Sequence, residues 1–379
     1  MYDVIVLGVG GVGSAALYHA AQRGARVLGI ERFAPPHDRG SSHGQTRIIR
    51  QAYFEHPDYV PLLKRAYALW QDLEETTQRK LFHRVGLLEV GPPQGVVLSG
   101  VLRSAAQHDL KVESLSAEEA RRRFPAFQIP ESYAAVFEQD AGYLLVEECV
   151  RTHIEAAKRL GAALRTNEVV QEWRAENGGV MVETDRGRYT AGRLIVSPGA
   201  WAVQVLRDLS VGLRVVRKHL HWFANDDARF REDHGCPTFF YEIPQGYFYG
   251  FPQIDGRGVK VACHSGGDEV TDPLTVDRTL DPTEAAAVQA FLAAHLPGVS
   301  SQPTGHTVCM YTMTPDEHFL VDQHPQWPHV VLTAGLSGHG FKFTSVLGEI
   351  MAEMALEGRA NQPVEFLSLR RFAGNDLEG

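Results

Sequence analysis

Three glycines near the N-terminus, Gly8, Gly10 and Gly13, constrain the fold more than any other feature of the chain. They directly follow DVIVL (residues 3–7), an apolar, β-branched run typical of a strand buried on both faces of a parallel sheet. The alanine-rich stretch 14–23 predicts a helix immediately after the glycines. A strand, a glycine turn and a helix in this order predict a parallel α/β sheet.

The spacing of these glycines, G-x-G-x-x-G, favours a dinucleotide site, because glycines let the backbone approach a pyrophosphate at a helix N-terminus. Residues 25–30 predict the second strand, and Glu31 at its end is placed to bind ribose hydroxyls. A carboxylate there would repel the 2′-phosphate of NADP. The glycine turn does not separate NAD from FAD, so an NAD-dependent dehydrogenase stays open.

Composition excludes several classes of partner. The net charge of −9, from 37 basic and 46 acidic residues, provides no basic field for a nucleic acid. Four widely spaced cysteines predict neither a zinc ribbon nor a disulfide framework. The histidines lack a consistent ligand spacing, so no metal site is expected. Without a signal peptide or a long apolar run, we expect a cytoplasmic protein that does not contact membranes.

The rest of the chain predicts a second kind of sheet. Residues 213–309 are rich in Tyr, Phe and Val between turn residues, as in antiparallel strands, whereas 193–201 returns to the first sheet and 344–356 forms a closing helix. We therefore predict an α/β plus antiparallel β fold, in which a Rossmann-like dinucleotide-binding domain is interleaved with a substrate domain. The predicted boundaries are 1–82, 143–212 and 318–379 for the first domain, and 83–142 and 213–317 for the second.

Three further segments, far apart in the chain, carry a family resemblance. They are GSSHGQTRIIR (residues 40–50), YGFP from Tyr249 followed by Lys260 and His264, and CMYT from Cys309 with TPDEHF and GHGFKF after it. Together they resemble the monomeric sarcosine oxidase and N-methyltryptophan oxidase family of flavoproteins. The order and spacing of the segments are more specific than any one of them, and the resemblance extends from the N-terminus to the last helix.

The resemblance implies that the cofactor is FAD, attached by a thioether from Cys309 to the 8α carbon of the flavin. Because the thiolate is the reactive form, we expect Cys309 in an exposed, electropositive setting before attachment. On its local sequence alone, Cys309 would be a core residue. The residues expected to bind the cofactor are Gly8, Gly10, Gly11, Gly13, Glu31, Arg32, Ser41, Ser42, Thr46, Arg47, Val170, Gly199, Cys309, Gly338, Gly340 and Lys342.

The resemblance also assigns the substrate side of the site. Arg50 and Lys342 are the candidates for holding a substrate carboxylate, a task suited to guanidinium and ammonium groups. Lys260 matches the lysine that assists the reaction with oxygen, for which a fixed cation is suited. The alternatives are that Arg50 is only a surface arginine in a loop and that Lys260 is only an exposed strand lysine. The expected catalytic residues are Lys260, Arg47, His264 and Tyr249.

The expected reaction is oxidation of the CH–NH group of a secondary amino acid. With sarcosine, oxygen and water as reactants, the products are glycine, formaldehyde and hydrogen peroxide. N-methyl-L-tryptophan, proline and pipecolate are alternative substrates, and a flavin-binding protein without turnover is an alternative of another class. Met313 and Gln45 depart from the polar residue and the aspartate frequent in the family, which leaves substrate preference open. The family name suggests a monomer.

Overall fold

A computed structural model describes residues 1–176, 178–209 and 211–372. The α-helices are α1 (Gly11–Gln22), α2 (Val60–Thr77), α3 (Val96–His108), α4 (Ala117–Arg123), α5 (Val146–Arg159), α6 (Ala202–Val205), α7 (Pro282–His295) and α8 (Thr344–Glu357). The strands are β1 (Tyr2–Leu7), β2 (Val27–Ile30), β3 (Thr46–Ile49), β4 (Phe82–His83), β5 (Leu87–Gly91), β6 (Glu113–Ser116), β7 (Ala134–Glu138), β8 (Gly142–Leu145), β9 (Ala163–Arg165), β10 (Val170–Glu176), β11 (Gly179–Thr184), β12 (Arg188–Val196), β13 (Arg214–Phe223), β14 (Thr238–Ile243), β15 (Gly246–Phe251), β16 (Val259–Cys263), β17 (Pro303–Met313), β18 (Leu320–Gln323) and β19 (Val330–Ala334).

The first large sheet contains the predicted strand–turn–helix unit. Its strands lie in the order β10-β11-β12-β1-β2-β9, with β19 also pairing with β12, and β18 pairing with β19. The pairs β12–β1, β1–β2, β2–β9 and β12–β19 are parallel, as predicted for the start of the chain. Helix α1 begins earlier than predicted, at Gly11, because the N–H of Ser14 already donates to the carbonyl of Gly10.

The second large sheet has the order β17-β13-β16-β15-β14-β5-β7-β6. Its neighbouring strands are antiparallel apart from the parallel pair β14–β5. The combination of a parallel α/β sheet with a largely antiparallel sheet confirms the predicted fold class. The exact domain boundaries stay predictions, and residues 177, 210 and 373–379 of the predicted dinucleotide-binding segments lie outside the described residues.

Helix α7 corrects the expectation that residues 213–309 form strands only. The carboxylate of Asp281 accepts the backbone N–H groups of Thr283 and Glu284, and Pro282 occupies the first turn. A side-chain cap followed by proline is a strong helix start, and the alanines that follow have high helix propensity. These local signals override the strand pattern of the surrounding sequence.

A small third sheet, β3-β8-β4, joins the two large ones. Successive side chains of a strand point to opposite faces, and β3 uses both faces for burial. Ile48 packs in an apolar cluster with Leu220 and Phe240 of the second sheet, whereas Ile49 packs in the cluster that contains α1 and α8. The strand that carries Arg47 is therefore fixed to both halves of the molecule.

Helices α1 and α8 pack closely together in the apolar core beside the first sheet, and Gly348 of α8 lies at their contact. A Cβ atom at Gly348 would overlap the side chain of Ala15 and lie 2.6 Å from backbone atoms of Ala15 and Ala16. Backbone atoms cannot move aside cheaply in a close-packed interior. The absence of a side chain at this position sets the distance between the two helices.

No helix in the described part of the chain combines the length and the hydropathy needed to cross a bilayer.

We predict that Gly348→Ala lowers the free energy of unfolding by about 1–3 kcal/mol, because the added methyl group overpacks the α1–α8 contact. The matched control is Gly187→Ala, where a Cβ would meet no atom within 4 Å. The control should change stability by no more than about 0.5 kcal/mol. Denaturant titration of both variants measures the difference, and equal unfolding midpoints would contradict the prediction.

Candidate active site

A cavity of about 870 Å³ extends from the glycine turn between β1 and α1 to the second sheet. Leu7, Ile30 and Val170 contribute to its wall from the first sheet, and Phe240 and Tyr249 from the second. Both large sheets therefore contribute to one site.

The glycine turn is built for close approach of a ligand. Gly8 has a left-handed backbone with φ of +81°, and a Cβ at Gly13 would overlap the carbonyl oxygen of Gly8. Gly10 caps α1 without a side-chain hydrogen bond, and a Cβ there would approach only Ser42 Oγ, at 3.7 Å. The N-terminus of α1 lines the cavity, where its dipole favours an anion, and the N–H of Gly11 donates to Ser42 Oγ at 3.0 Å.

Glu31 stands at the end of β2, as predicted, and is held in place by the turn. Its Oε2 accepts the backbone N–H of Val9 at 2.7 Å, and its Oε1 accepts that of Phe33 at 3.2 Å. His37 Nε2 lies 3.4 Å from Oε1. The carboxylate is consequently fixed at the cavity wall beside the glycines.

Several polar atoms of the cavity wall lack a protein partner. Trp201 Nε1, Thr333 Oγ1, Thr344 Oγ1 and Arg50 Nε are buried and make no hydrogen bond in the described part of the structure, and all four residues line the cavity. An unsatisfied buried polar group costs about 1–3 kcal/mol. A ligand with oxygen and nitrogen atoms along its whole length would satisfy them, so these residues fit FAD.

The structure brings most of the predicted site residues to this cavity and places three of them behind its wall. The residues that line it are Gly8, Gly10, Gly11, Gly13, Glu31, Arg32, Ser41, Ser42, Arg47, Arg50, Val170, Gly199, Tyr249, His264, Gly338, Gly340 and Lys342. Thr46, Lys260 and Cys309 do not line it.

Cys309 is buried, with 1% of its surface exposed, which corrects the expectation of an exposed thiol. On β17 it lies opposite Lys218 of β13, and its side chain packs into the apolar cluster between the sheets. The electropositive neighbour is present, since Arg47 Nη2 donates to Sγ at 3.2 Å. Arg47 also donates to the carbonyl of Ser41 at 3.1 Å, so one guanidinium connects the thiol to the cavity.

Lys260 is buried rather than an exposed strand lysine. Its Nζ donates to the carbonyls of Gly44 and Thr46, at 2.5 and 2.8 Å, and to Thr46 Oγ1 at 3.1 Å. Burial, together with the nearby Arg47 guanidinium, lowers the pKa of Lys260 well below its usual range. The amine therefore lies close to the loop that precedes Arg47 and holds its ammonium proton weakly.

His264 and two tyrosines form the polar part of the cavity on the second sheet. His264 Nδ1 lies 3.4 Å from the hydroxyl of Tyr311, which is 3.5 Å from the hydroxyl of Tyr249. Removal from bulk water lowers the pKa of His264 to about 3. The imidazole is therefore neutral at physiological pH and offers a hydrogen bond without adding charge.

Arg50 is 3% exposed, which excludes a surface role. Its Nη2 donates to both carboxylate oxygens of Glu55, at 2.6 and 2.8 Å, and its Nη1 lies 3.4 Å from Glu89 Oε1. Burial opposes ionisation of Glu55, but the Arg50 guanidinium outweighs it and lowers the pKa of that carboxyl. The predicted carboxylate-binding arginine thus already has one carboxylate as partner.

Lys342 lies in the turn that leads into α8 and lines the same part of the cavity. Its Nζ donates to the carbonyl of His339 at 2.7 Å and lies 5.1 Å from the ring centre of Tyr53. Burial and the neighbouring Arg50 lower the pKa of Lys342 to about 7. An arriving anion would raise that pKa and favour the ammonium form.

Other residues that line the cavity were not predicted from the sequence, among them Glu55, Phe240, Tyr311 and His339. Tyr311 and His339 lie within the quoted segments CMYT and GHGFKF, so their proximity to Cys309 and Lys342 was an available signal. Glu55 and Phe240 have no such local signal. They reach the cavity through the path of the loop after β3 and the register of β14.

The described residues contain no group of three or more His, Cys, Asp or Glu side chains arranged to hold a metal ion.

Comparison with known proteins identifies the family. The sequence pattern of the family "FAD dependent oxidoreductase" matches residues 3–354. The chain is 44% identical over 379 residues to the monomeric sarcosine oxidase of Streptomyces avermitilis, covering 98% of both chains. It is 40% identical over 375 residues to the N-methyl-L-tryptophan oxidase of Yersinia pestis, covering 98% of this chain and 99% of that one.

A solved structure agrees with these relatives. NikD, an amino acid oxidase essential for nikkomycin biosynthesis, superimposes with a TM-score of 0.85 at 27% identity, covering 97% of each chain. The glycine turn, the cavity with its unsatisfied polar atoms and the sequence matches agree with one another, and the chain belongs to the family of FAD-dependent oxidoreductases.

Proposed function

We propose that the protein oxidises a small N-methyl amino acid, most simply sarcosine, with oxygen as the electron acceptor. The observation that carries the proposal is the pair Arg50 and Lys342, two buried cations at the wall of a cavity whose opposite end is the dinucleotide turn. Such cations suit a substrate carboxylate. The relatives named sarcosine oxidase support this choice of substrate.

N-methyl-L-tryptophan is the second candidate. Phe240, Tyr249 and Tyr311 line the cavity and give it aromatic surface on which an indole could stack. The relatives with N-methyl-L-tryptophan oxidase activity in their name favour the same reading. Proline and pipecolate share the secondary amine and the carboxylate, so they belong in the same test.

The residues of the cavity divide the work of binding. Arg50 and Lys342 hold the carboxylate, which requires Arg50 to share its guanidinium between the substrate and Glu55 or to release Glu55. The neutral His264 and the hydroxyls of Tyr249 and Tyr311 face the amine and fix its orientation. The flavin, when bound, accepts a hydride equivalent from the substrate and passes the electrons to oxygen.

A panel of amines tests the substrate. We expect hydrogen peroxide formation from sarcosine, with N-methyl-L-tryptophan, pipecolate and L-proline as comparison substrates in the same peroxide-coupled assay. We expect sarcosine to give the highest kcat/KM, in line with the relatives named sarcosine oxidase. A higher value for N-methyl-L-tryptophan would assign the second candidate. A yellow protein that forms no peroxide from any of them would instead be a flavin-binding protein without turnover, which would contradict the proposal.

We propose that Cys309 carries the flavin as a covalent thioether. The contact with Arg47 supports this, because the guanidinium, 3.2 Å from Sγ, would fix the sulfur that holds the flavin. The contact of Sγ with the Ser41 carbonyl, at 3.6 Å, keeps the sulfur beside a residue of the cavity wall.

We predict that acid precipitation of the wild-type protein leaves the yellow colour in the pellet, and that Cys309→Ser moves it to the supernatant. The control is Cys263→Ser, a partly exposed thiol that is not in contact with Arg47. Mass spectrometry of the intact chains measures the added flavin mass directly. Colour in the supernatant of the wild type would refute the tether but not FAD binding.

Lys260 is proposed to assist the reaction with oxygen. Burial and the Arg47 guanidinium lower the pKa of Lys260, and negative charge developing nearby would raise that pKa and favour the ammonium form. Its three oxygen acceptors on Gly44 and Thr46 hold the amine in one position. The ammonium group of Lys260, already fixed by these hydrogen bonds, would then stabilise the negative charge that develops when oxygen is reduced.

We predict that Lys260→Met slows reoxidation of the reduced protein by oxygen about 100-fold or more, whereas anaerobic reduction by substrate changes little. Lys218→Met is the matched control, since Lys218 is equally buried on the neighbouring strand but donates to Ser265 and Gly266 instead. Stopped-flow absorbance at the flavin band measures both half-reactions. Equal reoxidation rates in the two variants would exclude the role.

We further propose that the protein works as a monomer in the cytoplasm, with small-molecule substrates and no nucleic-acid or membrane partner. The names of the sarcosine oxidase relatives support the monomer, and the acidic net charge supports the absence of a nucleic-acid partner.

A further inference from the structure

Glu89 of β5 is a buried carboxyl group without a hydrogen-bond partner. It has no exposed surface, and neither of its carboxyl oxygens makes a hydrogen bond in the described part of the structure. Its polar contact is the ion pair with Arg50, at 3.4 Å from Oε1 to Nη1. By contrast, Glu138, on the adjacent strand, accepts the N–H groups of Gln51 and Ala52.

Glu89 is placed behind Arg50 rather than in the cavity. It pairs with Val136 on one side and Phe240 on the other, and it does not line the cavity. Arg50 therefore has one carboxylate on the cavity side, Glu55, and one carboxyl behind it, Glu89.

The charge of Glu89 decides how much of the Arg50 charge a ligand can use. If Glu55 and Glu89 are both ionised, they cancel the charges of Arg50 and of the ammonium form of Lys342, and a substrate carboxylate would meet no net positive charge. If Glu89 is a neutral acid, Arg50 and Lys342 together exceed Glu55 by one positive charge. Only the neutral form leaves the site matched to one substrate carboxylate.

The surroundings of Glu89 favour the neutral form. Burial raises its pKa to about 8, against the lowering effect of Arg50 and with the help of the carboxylates Glu138 and Glu55. Lys342 is the other charged group that faces it, and it lowers the pKa.

We propose that Glu89 is a positioning residue for the substrate carboxylate: it fixes Arg50 from behind, and it must carry a proton for the Arg50–Lys342 pair to bind an anion. This inference rests on the proposed function, which supplies the carboxylate. A bound anion favours the protonated form of Glu89. The affinity for the anion is therefore highest at low pH and falls as the pH rises and Glu89 ionises.

The test is isothermal titration calorimetry of the holoenzyme with methoxyacetate, which has a carboxylate but no amine that titrates. The dissociation constant is measured from about pH 6 to about pH 10, a range that brackets the Glu89 pKa of about 8. Above this pKa, each pH unit should raise the Kd of the wild type about 10-fold more than it raises the Kd of Glu89→Gln, because the variant cannot bind the proton that Glu89 takes up with the ligand. Lys342 and its own proton account for the dependence that remains.

Two further variants separate a proton-linked role from a packing role. Glu89→Asp retains a titrating carboxyl and should keep the steep dependence on pH. Glu138→Gln removes the neighbouring buried carboxyl, whose partners are backbone N–H groups, and should keep the steep dependence while its onset moves to lower pH, because Glu138 helps to raise the pKa of Glu89. If the plots of log Kd against pH for the wild type and Glu89→Gln are parallel, the proposal is overturned, even if the variant binds more weakly at every pH.

Proton uptake gives a second measurement that does not require the variant to fold. Binding enthalpies in two buffers of different ionisation enthalpy report the protons taken up by the wild type. We expect the uptake to rise from about pH 6 and to approach two protons near pH 10, one on Lys342 and one on Glu89. An uptake that levels off at one proton would overturn the proposal, because Lys342 alone accounts for it. If methoxyacetate fails to bind the wild type at every pH, the carboxylate site of the proposed function is itself wrong.

Discussion

The closeness of Gly13 to the carbonyl of Gly8 is the constraint on which the remaining structure depends. No side chain fits between them, and α1 can therefore begin directly at the end of β1. The N-terminus of α1 lines the cavity, and the helix packs on α8 at Ala15 and Ala16. Both the anion site and the apolar core around α1 and α8 depend on the absence of a side chain at Gly13.

Strand β3 and the loop before it connect this anion site to the substrate end. Arg47 reaches Cys309, while Lys260 donates to the carbonyls of Gly44 and Thr46 on either side of Gln45. Gln45 in turn accepts the indole N–H of Trp222 on the second sheet. A polar network thus crosses between the two sheets, where an apolar contact alone would fix distances but not directions.

The sequence allowed prediction of the fold class, because the hydrophobic pattern indicates the strands and helices. Motif spacing placed most of the predicted site residues correctly at the cavity. Helix α7 was not predicted within the strand-rich region, although its Asp281–Pro282 cap is a local signal. For Cys309 the local sequence correctly indicated a core residue, whereas the family resemblance implied an exposed thiol. The roles of Glu55 and Glu89 could not be predicted from the sequence either. Their significance lies in distances to Arg50, and the chain brings them there from a loop and from a strand of another sheet.

The contact between α1 and α8 also has a consequence for biosynthesis. Helix α1 is completed within the first residues of the chain, yet the face that receives Gly348 is covered only when α8 has emerged, more than three hundred residues later. Strand β19 likewise completes the first sheet by pairing with β12 late in synthesis. The apolar face of α1 therefore stays uncovered until late in synthesis, and such exposed apolar surface favours aggregation.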